Sequence, residues 1–127
     1  MDAIVTTALS GLNAATRRLE TSARNVANFT AKAPASPEGP PPAGLYRPER
    51  VVQTSTAAGT RAETVPVVPA AFTVQDSASP TGFSAVPNVD LAEEAVNQIV
   101  AQRAYEANLA VLKTKDEMDR ELVDTFA

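Results

Sequence analysis

The sequence predicts a mainly α protein. Two long terminal α-helices pack antiparallel as a coiled-coil-like pair, linked by a proline-rich middle segment that is partly β and partly irregular. Three observations predict this. All ten prolines and four of the five glycines lie between Pro34 and Pro87, so neither flank contains a proline; proline removes a backbone donor and clashes inside helices, which leaves only the flanks for long helices. Both flanks carry apolar residues at helical spacing. Aromatic residues make up 5% of the 127 residues and tryptophan is absent, so stability must come from seams of Ala, Leu and Val more than from a large core. The chain divides into residues 1–30, 31–87 and 88–127, with the two flanking helices forming one domain.

In the first flank Val5, Leu12, Leu19 and Val26 recur every seven residues, and Ala8, Ala15, Ser22 and Phe29 follow three residues on. The two rows make one apolar stripe, and the small residues of the second row admit a close neighbour. A helix over residues 3–28 is expected, roughly 40 Å long. Gly11 lowers its stability by about 1 kcal/mol relative to Ala. Asn28 or Asn25 is expected to cap its C-terminus, because Asn tolerates the left-handed conformation.

The middle begins with a proline-rich run over residues 34–44, a loop or polyproline stretch. Residues 49–54, 63–68 and 71–75 are rich in β-branched side chains and are candidate short strands. Pro66 and Pro69 confine the last two to edges or bulges. At most a small β-hairpin is expected between the helices.

The second flank opens at Asp90, an expected N-cap, with Glu93 three residues later as in a capping box. Glu93 and Glu94 face the positive end of the helix dipole. Val96, Val100, Ala104, Ala107, Val111, Met118, Leu122 and Phe126 keep mainly 4-4-3 spacing, with Lys115 the polar exception. Ile99, Leu109 and Leu112 widen the stripe. One helix of more than 30 residues is expected, roughly 50 Å long.

Composition excludes several functions. There is no cysteine and no histidine, so thiol nucleophiles, Cys/His zinc sites and Ser-His-Asp triads are absent. No nucleophile–base pair, phosphate loop or metal cluster stands out, and neither catalytic residue, metal nor cofactor is expected. Eleven basic against fifteen acidic residues give a formal charge of −4, against a nucleic-acid binder. The acidic excess sits in residues 88–127. Its run of Asp116, Glu117, Asp119, Glu121 and Asp124 lacks the pattern of a calcium loop and reads as a solvated helix face. No stretch approaches the roughly 18 apolar residues of a membrane span, and a cleavable secretory signal is not expected.

A long amphipathic helix alone in water is marginal. Two helices with wide stripes and little to cover them bury part of their apolar surface on each other and leave part for other chains. The pattern therefore points to an assembly subunit. The residues then resemble a known family. Pro87-Asn88-Val89-Asp90-Leu91-Ala92-Glu93-Glu94, Gln102-Arg103-Ala104-Tyr105-Glu106-Ala107-Asn108-Leu109 and Val111-Leu112-Lys113-Thr114 at one end match it. So do Ala8-Leu9-Ser10-Gly11-Leu12-Asn13-Ala14 and Ala23-Arg24-Asn25-Val26-Ala27-Asn28 at the other. Both ends resemble the bacterial flagellar rod and hook family of axial proteins, in its proximal rod type, over about half of the chain. The sequence departs from the usual family pattern at Arg24, where Asn is common, and at Thr30-Ala31-Lys32-Ala33, where Asn-Thr-Pro-Gly-Tyr is common.

The resemblance implies a structural subunit of the flagellar basal-body rod, exported without a cleaved signal through the flagellar type III apparatus into the periplasmic rod. Its implied partners are copies of itself, other rod subunits and the export apparatus. The expected assembly residues are Val5, Ala8, Leu12, Ala15, Leu19, Asn25, Val26 and Asn28 on the first helix. On the second they are Leu91, Val96, Ile99, Gln102, Arg103, Tyr105, Asn108, Leu109 and Leu112. For each of these the alternative is a place in the intramolecular seam or a solvated face. A second function class, a helical adaptor or exported interaction protein outside the rod, fits the same helices.

Overall fold

The computed structural model describes residues 2–126. Two helices are present, α1 (Asp2–Asn28) and α2 (Leu91–Phe126). At 1.5 Å per residue they are about 40 Å and 54 Å long. Asp90 caps α2: its Oδ1 accepts from the amides of Ala92 (2.8 Å) and Glu93 (3.3 Å). At the end of α1 the Asn28 carbonyl accepts from Ala31 N at 3.0 Å. Among the described residues no non-glycine residue has positive φ, so the expected left-handed Asn cap is not used, and Asn25 lies a full turn inside the helix.

The middle segment corrects the expectation of a mainly α fold whose proline-rich, partly β and partly irregular linker holds at most a small hairpin. It holds five strands in two antiparallel sheets: β1 (Ala33–Pro34), β2 (Glu49–Thr56), β3 (Gly59–Pro66), β4 (Ala71–Gln75) and β5 (Phe83–Pro87). β2 and β3 form a hairpin with Thr56 opposite Gly59. β1, β5 and β4 form the second sheet, with β5 central. The prolines are compatible with this because Pro34, Pro66 and Pro87 each end a strand, where the missing donor costs least. The second sheet closes over Ala35, Leu45 and Ala85, with Ala31, Ala33 and Ala71 packed around them. Asp76 ties the β4–β5 connection together. Its carboxylate accepts from Ala78 N (3.1 Å) and Ser84 Oγ (3.0 Å) and pairs with Lys32 (3.2 Å). These bonds, the Ala78 amide first, hold its pKa below the usual carboxylate value.

A lone two-stranded hairpin is marginal in water. This one lies along α1. Near its open end the Glu49 backbone meets Asn25, and at its tip Thr60 N donates to Ser10 Oγ at 3.0 Å. Gly59 has φ +120°, and a Cβ there would collide with the Ser10 side chain. Glycine is thus required both by the turn and by the close approach to the helix.

Candidate assembly surface

α1 and α2 are antiparallel, as cross-helix neighbours run from Ser22 with Glu94, through Ala15 with Ala101, to Ile4 with Met118. On α2 the residues turned toward α1 follow a 4-3-4-3 spacing: Glu94, Gln98, Ala101, Tyr105, Asn108, Leu112 and Lys115. Most of them are polar or small. On α1 the inward row is Ala8, Gly11, Ala15, Ser22 and Asn25. Ala8, Ala15, Ser22, Asn25 and Ala101 are each at most 3% exposed.

Hydrogen bonds fix this seam. Ser22 Oγ donates to the Glu94 carbonyl (3.1 Å) and accepts from Gln98 Nε2 (3.3 Å). Asn25 uses all four of its bonding positions. Its Nδ2 donates to Glu94 Oε1 (2.5 Å) and to the Glu49 carbonyl (2.8 Å). Its Oδ1 accepts from Tyr46 OH (2.8 Å) and Glu49 N (3.2 Å). One buried amide thus joins α1, α2 and the start of the hairpin. Burial raises the Tyr46 pKa above its ordinary value; Arg24 opposes the shift and Glu49 and Glu94 add to it. Further along, a Cβ at Gly11 would collide with the Asn108 side chain. The helix-destabilising glycine therefore makes room for Asn108, whose Nδ2 donates to Ala104 O at 2.7 Å. Lys115, the polar exception in the stripe, is half-buried beside the seam and pairs with Asp119.

The large apolar side chains lie mostly outside the seam. Val96 is 59% exposed, Ile99 60% and Leu109 51%; Leu19, Leu91 and Tyr105 are also exposed. Val5, Leu12, Val26 and Leu112 are half-buried. Of the polar residues expected at the interface, Asn25 is buried in the hub, Asn28 donates to the Arg24 carbonyl, and Asn108 meets Gly11. Gln102 and Arg103 are exposed and both bond Glu106. Residues that sequence reasoning missed are Tyr46, Glu49, Glu94 and Gln98. Glu94 read as a dipole partner of the helix start. Its inward position follows only from the 4-3-4-3 spacing with Gln98 and Ala101. Among the described residues no group of three or more acidic side chains is placed to hold a metal ion. No described helix is long and apolar enough to cross a membrane.

Residues 81–125, which hold β5 and nearly all of α2, match the family model for the C-terminal region of flagellar basal body rod FlgEFG proteins. The chain is 36% identical to the flagellar basal-body rod protein FlgC of Yersinia enterocolitica, across 83% of this chain and 82% of that one. It is 34% identical to the FlgC of Salmonella typhimurium, across 86% and 85%. A 44-residue stretch is 43% identical to the flagellar basal-body rod protein FlgG of Bacillus subtilis, covering 35% of this chain and 17% of that one.

Proposed function

We infer the following from one premise: the chain belongs to the flagellar basal-body rod proteins, FlgC type, and is a structural subunit of the rod in the flagellar basal body. The rod is built with other rod subunits, and in this reading the paired terminal helices are the part that packs against them. The observation that carries it is the placement of apolar side chains. The seam between α1 and α2 is polar and small, while Leu9, Leu19, Val96, Ile99, Leu109 and Met118 face outward, each at least 45% exposed. Large apolar side chains repeated along exposed helix faces mark surfaces that a partner covers. A repeating contact between unlike faces builds an open helical array instead of a closed oligomer.

In the same reading the chain works as a structural part and not as an enzyme. It reaches the rod through the flagellar export apparatus. The expected interface residues divide between two tasks. Ala8, Ala15, Asn25, Asn108 and Leu112 hold the helix pair together, Asn28 bonds the Arg24 carbonyl within α1, and Val5, Leu12, Leu19, Val26, Leu91, Val96, Ile99, Gln102, Arg103, Tyr105 and Leu109 meet neighbours. The test is to purify intact hook–basal bodies from the native cell and search them for this chain by mass spectrometry. Recovery at a stoichiometry comparable with other rod components is the expected result. Intact rods that lack the chain, with the chain found only in cytoplasm or medium, would overturn the reading.

A further inference from the structure

The hairpin β2–β3 is attached to the rest of the chain unequally along its length. Apart from pairing with each other, its strands pack mainly on α1. From Glu49 to Thr56 the hairpin is about 23 Å long, and about the same length of helix separates Asn25 from Ser10. It therefore lies along α1 as a strap, with its root at Asn25 and its tip at Ser10. The root is locked. Pro48 is fully buried, Val67 N donates to its carbonyl at 3.0 Å, and Asn25 bonds both the amide and the carbonyl of Glu49. Arg24 adds an ion pair with Glu49 at 3.5 Å. The tip is held by one neutral hydrogen bond, from Thr60 N to Ser10 Oγ, and by the fit of Gly59 against Ser10 and Thr7.

Between the two ends little holds the strap down. No residue of β2 or β3 is buried, whereas β5 buries Ser84, Ala85 and Pro87. The buried apolar cluster belongs to the second sheet and takes no residue from the hairpin. An open groove runs between Asn13, Thr16 and Arg17 of α1 and Arg61 and Ala62 of the hairpin. Among the described residues no ion pair crosses it: Arg61 pairs with Glu63 on its own strand at 2.8 Å. We propose that the hairpin is a hinged strap, whose tip lifts from α1 while the root, the helix pair and the second sheet stay closed. Segments with few buried apolar contacts open well below the free energy of global unfolding. The lifted tip uncovers a short strip of α1 with Ser10 and the buried Ala14 at its centre. The chain thus has two folded forms, one with this strip covered and one that presents it.

The chain contains no cysteine, so one introduced thiol reports its own exposure without background. Ala14→Cys places it under the strap, and Ala15→Cys places it in the seam between α1 and α2. The purified full chain is labelled with N-ethylmaleimide under native conditions, and circular dichroism checks that each variant keeps its helices. Ala14→Cys should label at least about tenfold faster than Ala15→Cys. Adding Ser10→Ala, which removes the latch, should speed the first about fivefold, the effect of one neutral hydrogen bond, and leave the second unchanged. Equal rates at the two positions, or a latch change that speeds both or neither, would overturn the proposal. If a cysteine variant does not fold, amide exchange of the wild-type chain gives the same test. The Thr60 amide bonds Ser10 at the tip and the Glu49 amide bonds Asn25 at the root. Corrected for intrinsic rates, Thr60 should exchange at least about tenfold faster than Glu49; equal protection of the two refutes the strap.

Discussion

Asn25→Ala is the sharpest perturbation of the helix pair. The substitution removes four hydrogen bonds at once: from Tyr46 OH and Glu49 N, and to the Glu49 carbonyl and the Glu94 carboxylate. A hydrogen bond to a charged group contributes about 1.5–3 kcal/mol and a neutral one about 0.5–1.5. Tyr46 and Glu49 are only half-buried and regain water, so their loss is at the low end. Glu94 is 8% exposed and loses a partner in a place water reaches poorly. The total is about 3–4 kcal/mol, a large part of the 5–15 kcal/mol typical of a domain. Urea unfolding of the purified chain, followed by circular dichroism at the helix band, measures it. Asn25→Asp sharpens the test. It keeps both acceptors but sets a carboxylate against that of Glu94, so the folded state holds its proton more tightly than the unfolded chain does. Its stability is then greatest below the ordinary carboxylate pKa of about 3.9 and is lost as pH rises through the raised folded value. A loss below about 1 kcal/mol for Asn25→Ala, or an Asn25→Asp variant that tracks wild type from pH 4 to 7, would refute the assignment of this amide as the hub.

Five further outcomes follow from other parts of the molecule. Leu19→Asp and Leu109→Asp should each change monomer stability by less than about 0.5 kcal/mol, because both side chains are already solvated in the monomer; yet each should abolish motility, and swimming cells with normal rods would contradict the outward docking role. Gly11→Ala should destabilise by about 1 kcal/mol despite its better helix propensity, and in an Asn108→Ala background the same change should stabilise by a similar amount; a double-mutant cycle of unfolding measurements reads the sign change. Gly59→Ala should cost about 2 kcal/mol and speed hydrogen exchange at the Thr60 amide, since it strains the turn and displaces Ser10. On pH, the depressed Asp76 pKa contributes stability that is present above about pH 4 and lost as pH falls through its folded value, so Asp76→Asn should flatten the acid limb of a stability profile. The raised Tyr46 pKa acts in the other sense: its contribution is complete below about pH 10 and lost above, so Tyr46→Phe should flatten the alkaline limb.

Much of the helical part was legible in the sequence. Proline exclusion and 3.6-residue spacing delimit both helices to within a residue or two, and Asp90 announces the start of α2. The heptad rows were legible too, but which row faces inward was not. Apolarity points to Leu19 and Leu109, whereas the polar and small residues pack the seam. Hydrophobic patterning assigns a buried Asn or Glu to solvent unless its partners are known, and the partners of Asn25 lie 21 to 69 residues away in sequence. The middle segment was the least legible. β5 carries no run of β-branched residues, and Ala85, its most buried residue, gives no strand signal. The proline density points to loop or polyproline backbone with at most a small hairpin. Three of those prolines instead sit at strand ends, where a missing donor is harmless. The β-content therefore follows from pairings between segments, each too short and too alanine-rich to declare itself.

The polar seam also has a mechanical consequence. Greasy contact is non-directional, so two apolar helices can creep along each other while losing little at any instant. The Ser22–Glu94–Gln98 and Asn25–Glu94–Tyr46 bonds are directional and weaken steeply once distances and angles depart from their narrow optimum. A shear of one helical turn, about 5.4 Å, breaks all of them together and offers no equivalent set in the new position. Load applied along the axis thus meets a detent instead of a slope. The helix pair behaves as a keyed joint, stiff up to a threshold, with its key formed by a few short polar side chains near one end.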